Sequence, residues 1–388
     1  MSEKASKRPQ ESVINDGLKK KHKKTRPINY TICIPSTIIA NAKSLNQVTQ
    51  IAYEVAKSLT IYNVSEVVIL DIPEESHKPQ SSTTAGVKEG NKIKFNFDDN
   101  KPKDATAKNN QKKDNKDNNN DNDNEPSMIL ATLLQYFITP PYLVKSVFQE
   151  KNRKFLKHAG NFPTLTTLPF MATNYLDENE TSGTFREGIS VAEQTSKPKH
   201  VPGTKVKKSK KKERLSMTKY VNVGLDKPIA LAKDKIPVNV RVTVNVKEGK
   251  VVSPYEAYYS DKIGAKVAVG YHVRIAKSFS SVFTESAFPD GYTSAIYVES
   301  NSFFNNKNSK DPFGTTLPEL TSLDKTVKDN NVIIFLGKKK DFQLSFKQDE
   351  TLKEVEHLGE FFNHELKIPI LTRIEDAILI SLTKIESL

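Results

Sequence analysis

The sequence predicts an α/β fold, and three stretches carry that expectation. Residues 28–70 read as strand, helix, strand, which is a βαβ unit. Residues Val332–Gly337 are an apolar run closed by glycine, the pattern of a buried strand entering a tight loop. Residues 372–385 place Ile374, Ala377, Ile378, Ser381, Leu382 and Ile385 on one helical face. Thr372 followed by Glu375 has the spacing of a capping box, so the last helix should start there.

Taken in order, residues 1–25 are polar and end in the basic run Lys19–Lys24. They read as a disordered tail that could carry an import signal or contact RNA. Ile28–Ile34 alternates as a strand and stops at Pro35-Ser36. Val48, Ile51, Ala52, Val55 and Leu59 share one face of the helix that follows. Val64–Leu70 ends in the continuous apolar run Val67–Leu70, as expected of a buried parallel strand. Residues 73–126 are rich in Asn, Asp and Lys and cannot bury enough apolar surface to offset chain entropy. A disordered insertion is expected there, with 93–97 as a possible docked strand. Leu130, Leu133, Leu134 and Phe137 form a helical face that ends at Pro140-Pro141. Strand character returns at Thr184–Ile189, Tyr220–Leu225 and Val238–Val246. Phe279, Val282 and Phe283 suit a helix, and Thr293–Val298 a strand. Ile368–Leu371 is a further strand candidate.

The chain has 388 residues, with 59 Lys and Arg against 46 Asp and Glu, a formal net charge of +13. Such an excess favours a polyanionic partner. The single cysteine, Cys33, excludes an internal disulfide and a cysteine zinc cluster, and fits a reducing compartment. The apolar runs within 128–148 are too short to span a bilayer, and no secretory signal opens the chain. His357, Glu360 and His364 could share a helical face, but their spacing is not His-Glu-x-x-His, and no metal is expected.

The C-terminal run Arg373-Ile374-Glu375-Asp376-Ala377-Ile378-Leu379-Ile380-Ser381-Leu382 resembles the last helix of the SPOUT family of RNA methyltransferases, in its eukaryotic and archaeal branch. The stretches at 26–42, 67–71, 134–143 and 184–189 resemble the same branch in the same order. So do 267–274 and 285–292. The resemblance implies an α/β trefoil-knot domain split by an inserted OB-like β-barrel. On that basis residues 26–163 and 273–388 are the two halves of the knot domain. Residues 164–272 are the barrel, with a basic loop at 204–214. It further implies S-adenosylmethionine as cofactor, rRNA of the large subunit as substrate, a nuclear and nucleolar site of action, and pairing of two subunits across the C-terminal knot.

In the family three loops hold the cofactor. Here the first reads Glu299-Ser300-Asn301-Ser302, with Asn301 in place of an arginine and no glycine. The second keeps one glycine, at Leu336-Gly337-Lys338, and the third reads Lys367-Ile368-Pro369-Ile370. Pro369 removes a main-chain donor. The residues carried over for the cofactor are Leu336, Gly337, Asn363, Ile370 and Thr372. Those carried over for catalysis are Asn301, Arg373 and Glu375. Phosphate contacts are expected from Lys207, Lys208, Lys210, Lys211, Lys212 and Arg214, and from Lys338, Lys339 and Lys340. Two readings follow. One is an enzyme that moves a methyl group onto an rRNA base. The other is a cofactor-poor assembly factor that keeps the fold for RNA binding and dimerises with itself or with a better-equipped paralogue. The glycine-poor loops leave that choice open.

Overall fold

The computed structural model describes residues 28–72, 125–171, 184–192, 217–258, 270–302, 313–323, 330–369 and 371–388. The expected basic tail, the body of the Asn-rich insertion and the basic loop at 204–214 lie outside these residues. The first unit is β1 (Asn29–Pro35), α1 (Leu45–Ile61) and β2 (Glu66–Leu70). Ser44 caps α1 through the Gln47 amide. Next come α2 (Pro126–Phe137), with proline at its start, then the short α3 (Val144–Val147) and α4 (Glu150–Arg153).

The middle of the chain is β3 (Phe185–Val191), β4 (Met217–Thr218), β5 (Tyr220–Asn222), β6 (Ile229–Ala230), β7 (Ile236–Pro237), β8 (Arg241–Asn245), β9 (Lys250–Val252) and α5 (Pro254–Tyr258). The chain ends with β10 (His272–Ala276), α6 (Phe279–Thr284), β11 (Ser294–Glu299), β12 (Asn331–Gly337), α7 (Lys339–Gln348), β13 (His364–Glu365) and α8 (Ile374–Ser387).

Six strands form one sheet in the order β10-β2-β1-β12-β11-β13, and every pair in it is parallel. Such a sheet needs both faces covered. Tyr30, Ile32, Ile34, Val67, Ile69, Ile296, Val332 and Ile334 point to one side, against α1, α2 and α8. Cys33, Val68, Leu70, Tyr297, Ile333 and Phe335 point to the other, against α6 and α7. That second side is largely aromatic: Phe335 meets Phe283 at 5.7 Å and Phe362 at 5.0 Å between ring centres.

Residues 272–276, expected at the exit of an inserted barrel, instead form the edge strand β10 of this parallel sheet. Arg274 explains the placement. Its Nε donates to Glu66 Oε1 at 2.9 Å, and its Nη1 and Nη2 donate to the Ser281 and Val282 carbonyls at the end of α6. Tyr292 donates its hydroxyl to the other Glu66 oxygen.

The middle strands form an antiparallel sheet, β6-β5-β3-β8-β9, and a separate two-strand ribbon of β4 and β7. Ala232 N donates to Gly249 O at 2.9 Å and draws the two edges together at one end. The described strands thus make a curved half-barrel. Its docking to the rest of the chain runs through Tyr142, whose hydroxyl donates to Glu187 O at 3.0 Å. Gly224, at φ +77°, lets that ring approach: a Cβ there would lie 2.2 Å from it.

Two sequence expectations near the C-terminus are corrected. Ile368–Leu371 is not a strand in its described residues. The edge strand is His364–Glu365, paired with Ile296 and Tyr297, and Pro369 cannot donate to a ladder. Helix α8 forms with the expected buried face, but no side chain caps it: Arg373 is the N-cap, and the Thr372 hydroxyl donates back to Pro369 O.

Asp349 closes α7 against the start of α6. Burial alone would raise its carboxyl, yet donors from Ser280 and Thr351 hold it down at about 2. A depressed carboxyl contributes stability above its unfolded pKa and loses it as pH falls through the folded value. Asp349→Asn is therefore expected to cost about 1 kcal/mol at pH 7, after solvent screening, and almost nothing near pH 2. Denaturant titrations at both pH values measure this, and an equal loss at both would contradict it.

Candidate active site

Three segments meet at the C-terminal end of β11 and β12. Ser300 N donates to Gly337 O at 3.2 Å, and Tyr297 donates its hydroxyl to the same oxygen at 2.9 Å. Asn301 N donates to Thr372 O at 2.7 Å, tying the loop after β11 to the segment before α8. Gly337 eases the close approach: a Cβ there would stand 3.1 Å from Pro35 and 3.2 Å from the Phe342 ring, so those neighbours would have to give way.

Two cavities flank this seam. The smaller, about 380 Å³, is lined by Glu299, Ser300, Ser302, Glu365, Leu366, Lys367, Ile368 and Leu371. The larger, about 780 Å³, is lined by Ile38, Asn41, Ala42, Lys43, Gln47, Gln50, Ile51 and Glu54 on one side, and by Asn301, Arg373, Glu375 and Asp376 on the other. Ser300 and Leu371 therefore face one cavity, while their neighbours Asn301 and Arg373 face the other. The Asn301–Thr372 hydrogen bond is the partition.

Two residues here hold left-handed backbone, Asn301 at φ +60° and Leu371 at φ +72°. Asparagine tolerates this conformation, so the loop reaches without glycine the backbone shape that glycine usually supplies. Leucine does not tolerate it well, and such strain gathers at ligand sites. Leu371 is also 56% exposed.

In the larger cavity Arg373 Nη2 stands 2.6 Å from Glu375 Oε1, with the arginine side chain 55% exposed and the glutamate 10%. Burial pushes the Glu375 carboxyl above its ordinary range, and Asp376 and Glu54 add to that. Its own backbone N–H and Arg373 pull the other way. A carboxylate of raised proton affinity in a cavity suits proton transfer.

A family model described as "Putative RNA methyltransferase" matches residues 29–385. The chain belongs to this family of RNA methyltransferases. A Saccharomyces cerevisiae protein named "Putative methyltransferase YMR310C" is 32% identical over 92% of this chain and 94% of its own length. The Homo sapiens 28S rRNA (uridine-N(3))-methyltransferase is 26% identical over 71% of this chain and 59% of its own length. The Drosophila melanogaster protein of that name is 24% identical over 94% of this chain and 63% of its own length.

Seen as an RNA methyltransferase, the chain brings together some of the expected residues and not others. Asn301, Arg373 and Glu375 line one cavity. Thr372 sits in the partition through its carbonyl, and Gly337 anchors the seam. Leu336 is fully buried in the sheet, so only its backbone could face a ligand. Asn363 is elsewhere: its side chain accepts from Ala295 N at the opposite end of β11. Ile370 and the basic residues 207–214 lie outside the described residues. Lys338 and Lys339 are half-buried and Lys340 is exposed, and none of the three lines either of these two cavities. Lys339 lies 4.9 Å above the Phe313 ring.

His357, Glu360 and His364 do not share a helix face, because His364 is already in β13. Among the described residues, no three His, Cys, Asp or Glu side chains group to hold a metal. No described helix is long and apolar enough to cross a membrane. The residues missed from sequence are Asn41, Gln47, Gln50 and Glu54, which face the larger cavity from α1 and the turn before it. Their only signal is polarity on an exposed helix face.

Proposed function

We propose that this chain is an S-adenosylmethionine-dependent rRNA methyltransferase that acts on a ring nitrogen of uridine. The observation that carries the reading is the pair of cavities separated by one hydrogen-bonded seam. A methyl donor on one side and an acceptor base on the other would meet across it.

The residues of the smaller cavity fit the cofactor. The Ser300 hydroxyl is buried with no partner among the described residues, which is costly unless a ligand completes it. Leu366, Ile368 and Leu371 offer an apolar surface to a flat ring. Glu299 and Glu365 offer carboxylates to hydroxyls and to positive charge. A volume of about 380 Å³ falls in the usual range for small-molecule sites, about 300–1,000 Å³. When bound, the cofactor supplies an electrophilic methyl on a sulfonium.

In the larger cavity, no described hydrogen bond satisfies the carboxamides of Asn41, Gln50 and Asn301, which leaves them free to read base oxygens. Glu375 accepts the proton that the ring nitrogen must lose. Lys43 and Arg373 stand at the mouth for backbone phosphates, and the basic run 207–214 extends that surface. An OB-type closure of the half-barrel and a nucleolar site of action belong to the same reading.

A second reading, an RNA-binding assembly factor without methyl transfer, is favoured by Pro369, which removes a main-chain donor from the third loop. Incubation with rRNA and a methyl-labelled donor separates the two. Label recovered in a methylated uridine supports the enzyme, and unlabelled RNA supports the assembly factor.

Pairing through the C-terminal region is part of the proposal. Helix α8 leaves Leu379 39% exposed and Ile380 half-buried, although its opposite face is already covered. The pair forms with itself or with a paralogue whose cofactor loops are better equipped. Leu379→Asp is expected to raise the dimer dissociation constant at least tenfold, because it would bury an unpaired charge. Sedimentation with native partners present reads this, and a wild-type chain that stays monomeric at all concentrations would contradict it.

A further inference from the structure

We propose that Arg373 is a positioning residue that holds the Glu375 carboxylate in an ion pair until an RNA phosphate draws its guanidinium away. The inference rests on the methyltransferase reading above and adds to it a coupling between RNA engagement and the proton acceptor.

The geometry carries it. Glu375 is the sole ion-pair partner of Arg373 among the described residues, at 2.6 Å. The two side chains differ sharply in access, 55% exposed for the arginine and 10% for the glutamate. One end of the pair is therefore in reach of a polyanion and the other is not. An arginine fork matches a phosphate as well as a carboxylate, and the phosphate needs no burial. The other groups around Glu375 leave it no substitute cation. Asp376 beside it is an acid. From α1 it meets Glu54, whose carboxylate is held by Lys57 at 3.3 Å. Asn301 is neutral, and Lys43 lies at the exposed mouth.

In the free protein the arginine works against the burial that raises the carboxylate's proton affinity. Once the arginine turns to a phosphate, the carboxylate is left in an acidic, buried setting and its proton affinity rises. It then takes the proton from the acceptor nitrogen: the N–H bond breaks, an O–H bond forms on Glu375, and the electron pair stays on nitrogen for the incoming methyl. A strong base is present only when RNA is in place, and it is not quenched by solvent protons beforehand.

The test uses the full chain with ¹³C-labelled glutamate carboxyls, the Glu375 signal being identified by its loss in Glu375→Gln. In Arg373→Ala this signal should titrate at higher pH than in the wild type. In Arg373→Lys it should return toward the wild-type position. Adding a short uridine-containing single-stranded RNA to the wild type should move it in the same direction as Arg373→Ala. The ascending limb of the pH profile for kcat/KM, which reports the free enzyme, should also move to higher pH in Arg373→Ala, lowering kcat/KM about tenfold at a fixed pH on that limb, while the limb for kcat, which reports the RNA-bound enzyme, stays in place.

An unchanged Glu375 titration in Arg373→Ala overturns the proposal. So does a raised KM for RNA with an unmoved kcat/KM limb, which is the signature of a phosphate contact alone. If the wild type transfers no methyl group, the methyltransferase reading fails by itself, and the carboxyl titration with and without RNA still decides the coupling.

Discussion

Glu375→Gln is expected to lower methyl transfer to RNA by about 10²–10⁴-fold, the usual contribution of a positioned proton acceptor. Glutamine keeps the shape and the hydrogen-bonding reach of the side chain but cannot take a proton. S-adenosylmethionine affinity should stay within about twofold, because Glu375 faces the larger cavity and not the one that fits the cofactor. RNA affinity should fall little. Single-turnover assays against uridine-containing RNA, paired with cofactor titrations, separate these quantities. A variant with near wild-type single-turnover rate would remove Glu375 from the chemistry.

The largest expected stability effect lies at Arg274. Its guanidinium is 17% exposed and Glu66 only 4%. Arg274→Ala leaves a buried carboxylate without its cation and two α6 carbonyls without their donor. The expected cost is about 3–5 kcal/mol, most of it from the stranded charge. The double variant Glu66→Leu with Arg274→Leu should regain a large part of that loss, because it removes both charges together. Guanidinium denaturation of both proteins checks this. A double variant as unstable as the single one would show that the pair, and not the stranded charge, carries the energy.

These residues show what was legible in the sequence. The strands at 67–70, 295–298 and 332–336 announce themselves through continuous apolar runs, because a parallel sheet covered on both faces has no polar side. The face of α8 is legible for the matching reason, a periodicity that the packing obeys. Its start is not, since Thr372 spends its hydroxyl on Pro369 instead of capping the helix. The two-residue strand at His364–Glu365 is too short for any pattern, and the proline at 369 makes the neighbouring apolar run look like the better candidate. Arg274 pairs with Glu66 across 208 positions, so nothing local marks it.

The candidate site was legible in part. Asn301, Arg373 and Glu375 were found by resemblance and do share a cavity. The absence of glycine from the first loop pointed away from cofactor binding, yet Asn301 adopts positive φ itself. The opposite wall, from Asn41 to Glu54, lies more than 240 residues earlier in the chain. Only the fold brings it to Arg373.

Titration calorimetry of the full-length chain with S-adenosylmethionine tests the central claim most directly. The account predicts saturable one-site binding with a dissociation constant on the order of micromolar. It also predicts that Ile368→Arg, which fills the smaller cavity from a half-buried position, abolishes the heat while circular dichroism shows the protein still folded. Absence of binding by the wild type at millimolar cofactor, or binding indifferent to Ile368→Arg, would contradict it.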